Sequence, residues 1–473
     1  MTLSCDVAII GAGSAGMAAY RAARAHTDRV LLIEAAHYGT TCARVGCMPS
    51  KLLIAAGEAA QAVREAHRFG VQAEAPRIDG VAVMQRVRSE RDRFVGFVLD
   101  TIEGWPQATR LWGRARFVAP GLLDVNGQQV AARAVVVATG SQPVVPPGWR
   151  ERLGQRLIVN DDVFDWQDLP RSVAVVGAGV IGLELALALH KLGVRVRLFA
   201  RGDRVGPLTD PDLQALAQRL FAEELPLALN AGPLEPALAG DQVSIGGEHF
   251  DLLLCAAGRR ANLDDLGLEH LGLPHDAQGH PLVDRHTGQW GSAPVFVAGD
   301  VTNDRPLLHE AADAGRIAGD NAARWPRVHH RPRRAPLAIV FSDPQIALAG
   351  ASHAELTAAG LAFDTGRVSF ADQGRSRVMG VNRGALHVYA EQGSGRLLGA
   401  EMIGPAAEHV GHLLAWSVQR GDTVQQMLDS PFYHPVIEEG LRTALRQLSS
   451  DLHLPPPPPE RCLDCDTSAE AGA

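Results

Sequence analysis

Cys42 and Cys47 carry the sharpest chemical signal in this sequence, within Thr41-Cys42-Ala43-Arg44-Val45-Gly46-Cys47-Met48-Pro49-Ser50-Lys51. On a regular helix, residues five apart have Cα atoms roughly 8–9 Å apart, beyond the ~7 Å that a disulfide tolerates. A bridge between them therefore requires a broken helix. Gly46 supplies backbone freedom and Pro49 suits a helix's first turn, so Cys42 is expected in the preceding turn and Cys47 entering the helix. A thiolate near that N-terminus is stabilised by the helix dipole, which depresses its pKa and favours redox exchange. Cys5 and Cys255 lie in apolar, strand-like runs and are expected in the core.

Two glycine-rich turns follow the same plan. Gly11-Ala12-Gly13-Ser14-Ala15-Gly16 comes after the apolar run Cys5–Ile10 and opens a helical stretch, and the next strand ends at Glu34. Gly177-Ala178-Gly179-Val180-Ile181-Gly182 follows Ser172–Val176 and leads through a Leu/Ala-rich helix into Val194–Ala200. Such turns let the backbone approach a pyrophosphate at a helix N-terminus, and a carboxylate at the position of Glu34 accepts hydrogen bonds from ribose hydroxyls. One chain thus holds two nucleotide-binding βαβ units.

The bulk properties fit this organisation. A length of 473 residues exceeds what one core supports and suggests about three units. The reading is α/β, with two Rossmann-like nucleotide-binding domains and a C-terminal α+β domain. The expected boundaries are 1–145 with 265–334, 146–264, and 335–450, followed by a flexible proline-rich tail, 451–473. A net charge of -8 without long blocks of one sign gives no reason to expect nucleic acid or a membrane surface as partner. The basic stretch Arg324–Arg334, broken by Pro326 and Pro332, reads as a solvated linker. No run of 18 apolar residues and no leader-like N-terminus appears, so a cytoplasmic location is expected. Six cysteines in a chain of this length are too few for a disulfide scaffold, and none is assigned to a metal.

The segment from Gly39 to Lys51 resembles the redox-disulfide motif of the class I pyridine nucleotide-disulfide oxidoreductases, departing from it at Thr40, usually glycine, and Arg44, usually asparagine. The resemblance spans roughly residues 5–450. It implies FAD, and NAD or NADP, as cofactors. Gly11, Gly13, Ser14, Ala15, Gly16, Glu34, Lys51, Ala115, Thr139, Gly140, Ser141 and Asp300 are then expected around FAD. Gly177, Gly179, Gly182, Ala200, Arg201 and Gly258 are expected around the nicotinamide nucleotide, with Arg259 closing that domain. Lys51 and Glu184 match positions that pair beside the flavin. His434 and Glu439 match the family's acid/base dyad, contributed across a homodimer interface, and the resemblance assigns dimerisation to the C-terminal α+β domain. By the same resemblance Cys42 is the interchange thiol and Cys47 faces the flavin. The implied activity is two-electron transfer between NAD(P) and a small dithiol or disulfide, or a lipoyl-bearing protein, of the dihydrolipoyl dehydrogenase type. The alternative is an NADPH-dependent reductase of the glutathione, mercuric or thioredoxin reductase type; a non-catalytic flavoprotein scaffold is disfavoured by the intact constellation.

Two features bear on finer choices. Ala200 stands where NAD-specific units carry an acid, and Arg201 and Arg204 follow, which suits a 2′-phosphate. In the tail, Cys462 and Cys465 form a C-x-x-C pair after Pro455–Pro459; a passive tail is the favoured reading and a second dithiol arm the alternative.

Overall fold

The computed structural model describes residues 2–454; the tail cysteines Cys462 and Cys465 lie outside the described residues. The described residues form two compact units, residues 2–203 with 225–333, and residues 204–224 with 334–454.

The first unit holds both nucleotide-binding folds. Strand β1 (Leu3–Ile10) pairs in parallel with β2 (Val30–Glu34) on one side and with Gln128–Val137 on the other. Arg110–Trp112 extends the sheet beyond β2, and Val295–Val297 joins it beside Gln128–Val137. Ile9, Leu32 and Val136 point to one covered face and Ala8, Ile33 and Val135 to the other, so these strands read as apolar runs without alternation. Helix α1 (Ser14–Arg24) lies against the helix Leu308–Arg324. A Cβ at Gly315 or Gly319 would meet the carbonyl oxygen of Ala15 or Ala19 at 2.1 or 2.2 Å, so small residues set that close approach. The second sheet is parallel throughout, in the order Leu227–Ala228, Arg195–Phe199, Ser172–Val176, Leu252–Cys255, Leu157–Ile158.

The stretch Arg324–Arg334 is more fastened than a solvated linker. Arg333 pairs with Glu310, both side chains at least nine-tenths buried, and Arg331 pairs with Asp320. The Asn321 side chain donates to the His329 carbonyl and accepts from its N–H. The helix ends at Arg324, ahead of Pro326, and the Ala323 and Trp325 carbonyls at its end accept from the Arg133 guanidinium.

In the second unit, five antiparallel strands run in the order Leu337–Val340, Gln345–Gly350, Leu397–Gly404, Ala385–Glu391, Phe363–Ser369. Helices Ala407–Arg420 and Glu439–Asp451 pack on this sheet over a core that includes Phe370, Leu386, Met402 and Leu445. Residues 204–224 fall inside the sequence range read as the nicotinamide nucleotide domain, yet they belong to this unit. Glu401, fully buried, accepts from the N–H groups of Thr209, Asp210 and His353. The Asp210 carboxylate bonds His387 Nδ1 at 2.7 Å and accepts from the Tyr389 hydroxyl at 3.1 Å. Burial opposes its charge, but His387 and the N–H groups of Leu213 and Asp212 outweigh it and hold its pKa down to about 2. Polar docking of this kind leaves no apolar periodicity in the sequence.

Replacing Glu401 by alanine leaves three backbone N–H groups without their acceptor in a dry site. The expected outcome is a loss of about 3 kcal/mol from the unfolding free energy, measured by urea titration of the purified protein; a loss below about 1 kcal/mol would mean that this carboxylate does not hold the segment.

Candidate active site

Thr41–Val45 forms a short helix, α2, and Cys47–Glu65 a long one, α3, with Gly46 between them. Cys42 thus lies in a helical turn of its own ahead of the break, and Cys47 is the first residue of α3. Gly46 lies close over α2: a Cβ there would stand 3.1 Å from the Cys42 Cα. Thr40 explains one departure from the motif. Its φ of 55° is a conformation that favours glycine, and its Oγ1 accepts from the Ala43 N–H at 3.2 Å, so a helix cap offsets backbone strain.

The two thiols polarise each other. The Cys42 thiol donates to Cys47, which draws the Cys47 pKa down to about 7; Lys51 and the Cys47 N–H assist, while burial and Glu184 oppose. Cys42, whose proton is held by Cys47 and which is also desolvated, is pushed well above the thiol range. Lys51 Nζ lies 2.7 Å from Glu184 Oε2, and the Glu184 side chain is only 5% exposed. This ion pair joins α3 to the helix that follows the second glycine turn, Val180–Lys191. Cys5 and Cys255 are buried in strands, as packed core thiols.

The two glycine turns share their construction. Gly11 has φ +104° and Gly177 φ +116°, and a Cβ at either would strike the carbonyl of Ala138 or Ala256. A Cβ at Gly16 or Gly182 would strike the carbonyl of Gly11 or Gly177. Gly13 and Gly179, at the N-termini of their helices, have nothing within 4 Å of that position. Outer glycines thus shape the turn, and the middle one leaves open space over free N–H groups, which fits a dinucleotide pyrophosphate. Ser14 and Ala15 begin α1 beside it. Glu34 accepts from the N–H groups of Ala12 at 2.7 Å and of Ala35 and Ala36 at 2.8 and 2.9 Å, which holds the carboxylate at the end of β2 with lone pairs left for ribose hydroxyls.

Thr139, Gly140 and Ser141 meet the motif that ends the nicotinamide nucleotide domain. Thr139 Oγ1 donates to the Asn262 carbonyl at 2.7 Å, and Asn262 Nδ2 returns a bond to the Thr139 carbonyl at 2.9 Å. Ser141 Oγ donates to Asp300 Oδ2 at 2.8 Å and accepts from Arg259 Nε at 2.9 Å. Gly258 has φ +118°, and its carbonyl accepts from the Val144 N–H at 2.9 Å. Ala115 is buried at the start of a strand, opposite Val125. Ala200 is buried, its N–H donating to the Ala228 carbonyl, while Arg201 is exposed beside it; Arg204 falls in the second unit. Asn160 was missed as a site residue in the sequence, since a single asparagine carries no spacing signal.

In the second unit, His434 Nδ1 lies 3.0 and 3.1 Å from the two carboxylate oxygens of Glu439. The histidine side chain is 80% exposed and the glutamate 16%. Burial opposes the Glu439 charge, but bonds from His434 and the Val436 N–H, together with Arg442, hold its pKa below the ordinary carboxylate value. Glu439 thus favours its anionic form and holds the His434 ring through Nδ1. Among the described residues no group of three His, Cys, Asp or Glu could hold a metal, and no helix is long and apolar enough to cross a membrane.

Residues 5–315 match the family model described as pyridine nucleotide-disulphide oxidoreductase, and residues 337–445 match its dimerisation domain. Mercuric reductase of Acidithiobacillus ferrooxidans is 32% identical over 462 residues, 94% of this chain and 83% of the relative. Dihydrolipoyl dehydrogenase 3 of Pseudomonas aeruginosa is 31% identical over 485 residues, 96% of this chain and 99% of the relative. The crystal structure of LpdA from Mycobacterium tuberculosis is similar with a TM-score of 0.79 at 26% identity, covering 94% of this chain and 99% of that one. With these matches laid over the two glycine turns and the cysteine pair, the chain belongs to the pyridine nucleotide-disulphide oxidoreductase family, whose members use FAD and NAD(P).

Proposed function

We propose that this flavin-linked disulfide oxidoreductase acts on a small dithiol/disulfide couple of the lipoamide type, as a homodimer in which His434 serves the partner's cysteine pair. The observation that carries this reading is the His434–Glu439 pair, because exchange with an organic dithiol needs a base for the incoming thiol and an acid for the departing one. In the oxidising direction His434 takes a proton from a substrate thiol, and the thiolate attacks Cys42 of the Cys42–Cys47 disulfide. Cys47 departs as a thiolate. The second substrate thiol then attacks the sulfur bonded to Cys42, closing the product disulfide and releasing Cys42, which is protonated. FAD, when bound, supplies the two-electron relay between the dithiol and NAD(P). Lys51, paired to Glu184, holds positive charge near that relay, and the open turns at Gly13 and Gly179 would take the two pyrophosphates. Two-electron reduction of Hg(II) at the expense of NADPH, the activity that relative's name gives, is the second reading, favoured by the 32% identity to the mercuric reductase.

Three measurements bear on the proposal. Turnover of lipoamide, glutathione disulfide, coenzyme A disulfide and Hg(II) by the FAD-loaded protein should favour lipoamide, and His434→Ala should lower that rate by about 100- to 10,000-fold. Preference for Hg(II), with His434→Ala without effect, would establish the second reading. Next, alkylation of Cys47 in the reduced protein, followed by peptide mass spectrometry, should rise with pH through about 7 and then level off, whereas Cys42 stays unreactive across that range; equal titration of both would overturn the assigned asymmetry. For the coenzyme, exposed Arg201 beside Ala200 supports NADPH over NADH. Arg201→Ala should cut the NADPH preference about tenfold, as expected for loss of a charge-assisted contact to a 2′-phosphate; an unchanged ratio would remove that residue from coenzyme choice.

A further inference from the structure

The break between α2 and α3 has a chemical cause that the cysteines do not supply. In a continuous helix the carbonyl of Val45 would accept from the N–H four residues on, but that residue is Pro49, which has none. Val45 ends α2, so its carbonyl is one of the groups a helix C-terminus leaves without an intrahelical donor. The donor present is the side chain of Asn160, whose Nδ2 lies 3.3 Å from the Val45 oxygen. Asn160 is 6% exposed and comes from a different nucleotide-binding fold of the same unit, 115 residues along the chain.

The amide is itself fixed in orientation. Its Nδ2 also donates to Asp161 Oδ1 at 2.8 Å, and its Oδ1 lies 3.5 Å from Arg259 Nη1. Both neighbours agree on which end is nitrogen, since a carboxylate only accepts and a guanidinium only donates. Arg259 continues the connection through Nε and Nη2 to the hydroxyl and carbonyl of Ser141, and Ser141 donates to Asp300. A chain of hydrogen bonds therefore runs from the loop between the cysteines, through the motif that closes the nicotinamide nucleotide domain, to Asp300.

We infer that Asn160 is a positioning residue for the redox pair: it supplies the hydrogen bond that Pro49 cannot, and so holds the break that brings Cys42 and Cys47 together. The inference rests on the dithiol reading above. Without the amide, the Val45 carbonyl turns to water, the peptide at Gly46 loses its fixed plane, and the contact in which the Cys42 thiol donates to Cys47 weakens.

The test compares wild-type protein with Asn160→Ala, with Asn160→Leu, which keeps shape but has no donor, and with Asn160→Gln, which keeps an amide. Each is reduced, and alkylation of Cys47 against pH is read by peptide mass spectrometry, with thermal melting recorded alongside. Asn160→Ala and Asn160→Leu should shift the Cys47 titration upward by about 0.5–1 pH unit and lower kcat about fivefold with KM for NADPH unchanged, and Asn160→Gln should restore part of both. A Cys47 titration identical to wild type in the folded Leu variant overturns the inference. If the leucine variant is too unstable to assay, Asn160→Ala and Asn160→Gln decide: with wild-type melting, a glutamine shift as large as that of alanine equally overturns the inference. Failure of the wild-type protein itself to titrate near neutral pH counts against the dithiol reading and leaves the two failures distinct.

Discussion

Two sulfurs five residues apart can share a bond only where the helix carrying them is interrupted, and most of the first unit near the site is arranged around that interruption. Gly46 brings α3 close over α2, Thr40 caps α2 from a strained backbone, and Pro49 prevents the two helices from merging. Each effect is worth about 1–3 kcal/mol. None would hold the geometry alone in a chain free to rehydrate its peptides. The second nucleotide-binding fold adds an external constraint on both sides of the break, through Asn160 on the Val45 carbonyl and Glu184 on Lys51.

The electrostatics of the pair follow from the same arrangement. Burial alone raises a thiol pKa, as at Cys5, where desolvation pushes the value up to about 12. Cys47 is drawn the other way because a neighbouring thiol donates to it, a lysine stands nearby and its own N–H begins a helix. Glu184 opposes, since a carboxylate beside a thiolate is repulsive. Its partnership with Lys51 keeps the ammonium in place, so the pair is a compromise between fixing a cation and weakening its field.

Much of this was legible in the residue order. Both glycine turns announced themselves because a tight turn, an open middle position and a close helix–strand contact each demand glycine at a fixed offset, and the spacing of Cys42, Gly46, Cys47 and Pro49 demanded a broken helix. Other features were not legible, for physical reasons. That the turn holding Cys42 is itself helical was not legible, because the capping by Thr40 that closes it is a local contact without a spacing signal. Residues 204–224 sit in the sequence as part of a Rossmann-like unit, yet they pack with the dimerisation sheet through a buried carboxylate, Glu401, that gives no periodic signal. Arg333 looks in sequence like one more solvated charge, and only its long-range partner Glu310 explains its burial. Asn160 illustrates the general limit: a hydrogen bond 115 residues long leaves its mark in the sequence only as the missing donor at Pro49.

The order of attack on the disulfide can be argued from the leaving groups. A thiolate of lower pKa leaves faster, so attack at Cys42, which expels Cys47, is favoured over attack at Cys47, which expels Cys42. Exposure points the opposite way, because Cys47 is the more accessible of the two. The leaving-group effect is the one the site is built to supply, since Lys51 and the N–H of Cys47 favour a thiolate at Cys47 and both sulfurs remain within reach of solvent. The value of about 7 at Cys47, however, belongs to the dithiol, in which the Cys42 proton is donated to it. In the mixed disulfide Cys42 has no proton to give. Stabilisation of the departing Cys47 thiolate then falls to Lys51 and to the N-terminal N–H of α3, so it is at the exchange step that the fixed break and the Lys51–Glu184 pair bear most directly on the chemistry.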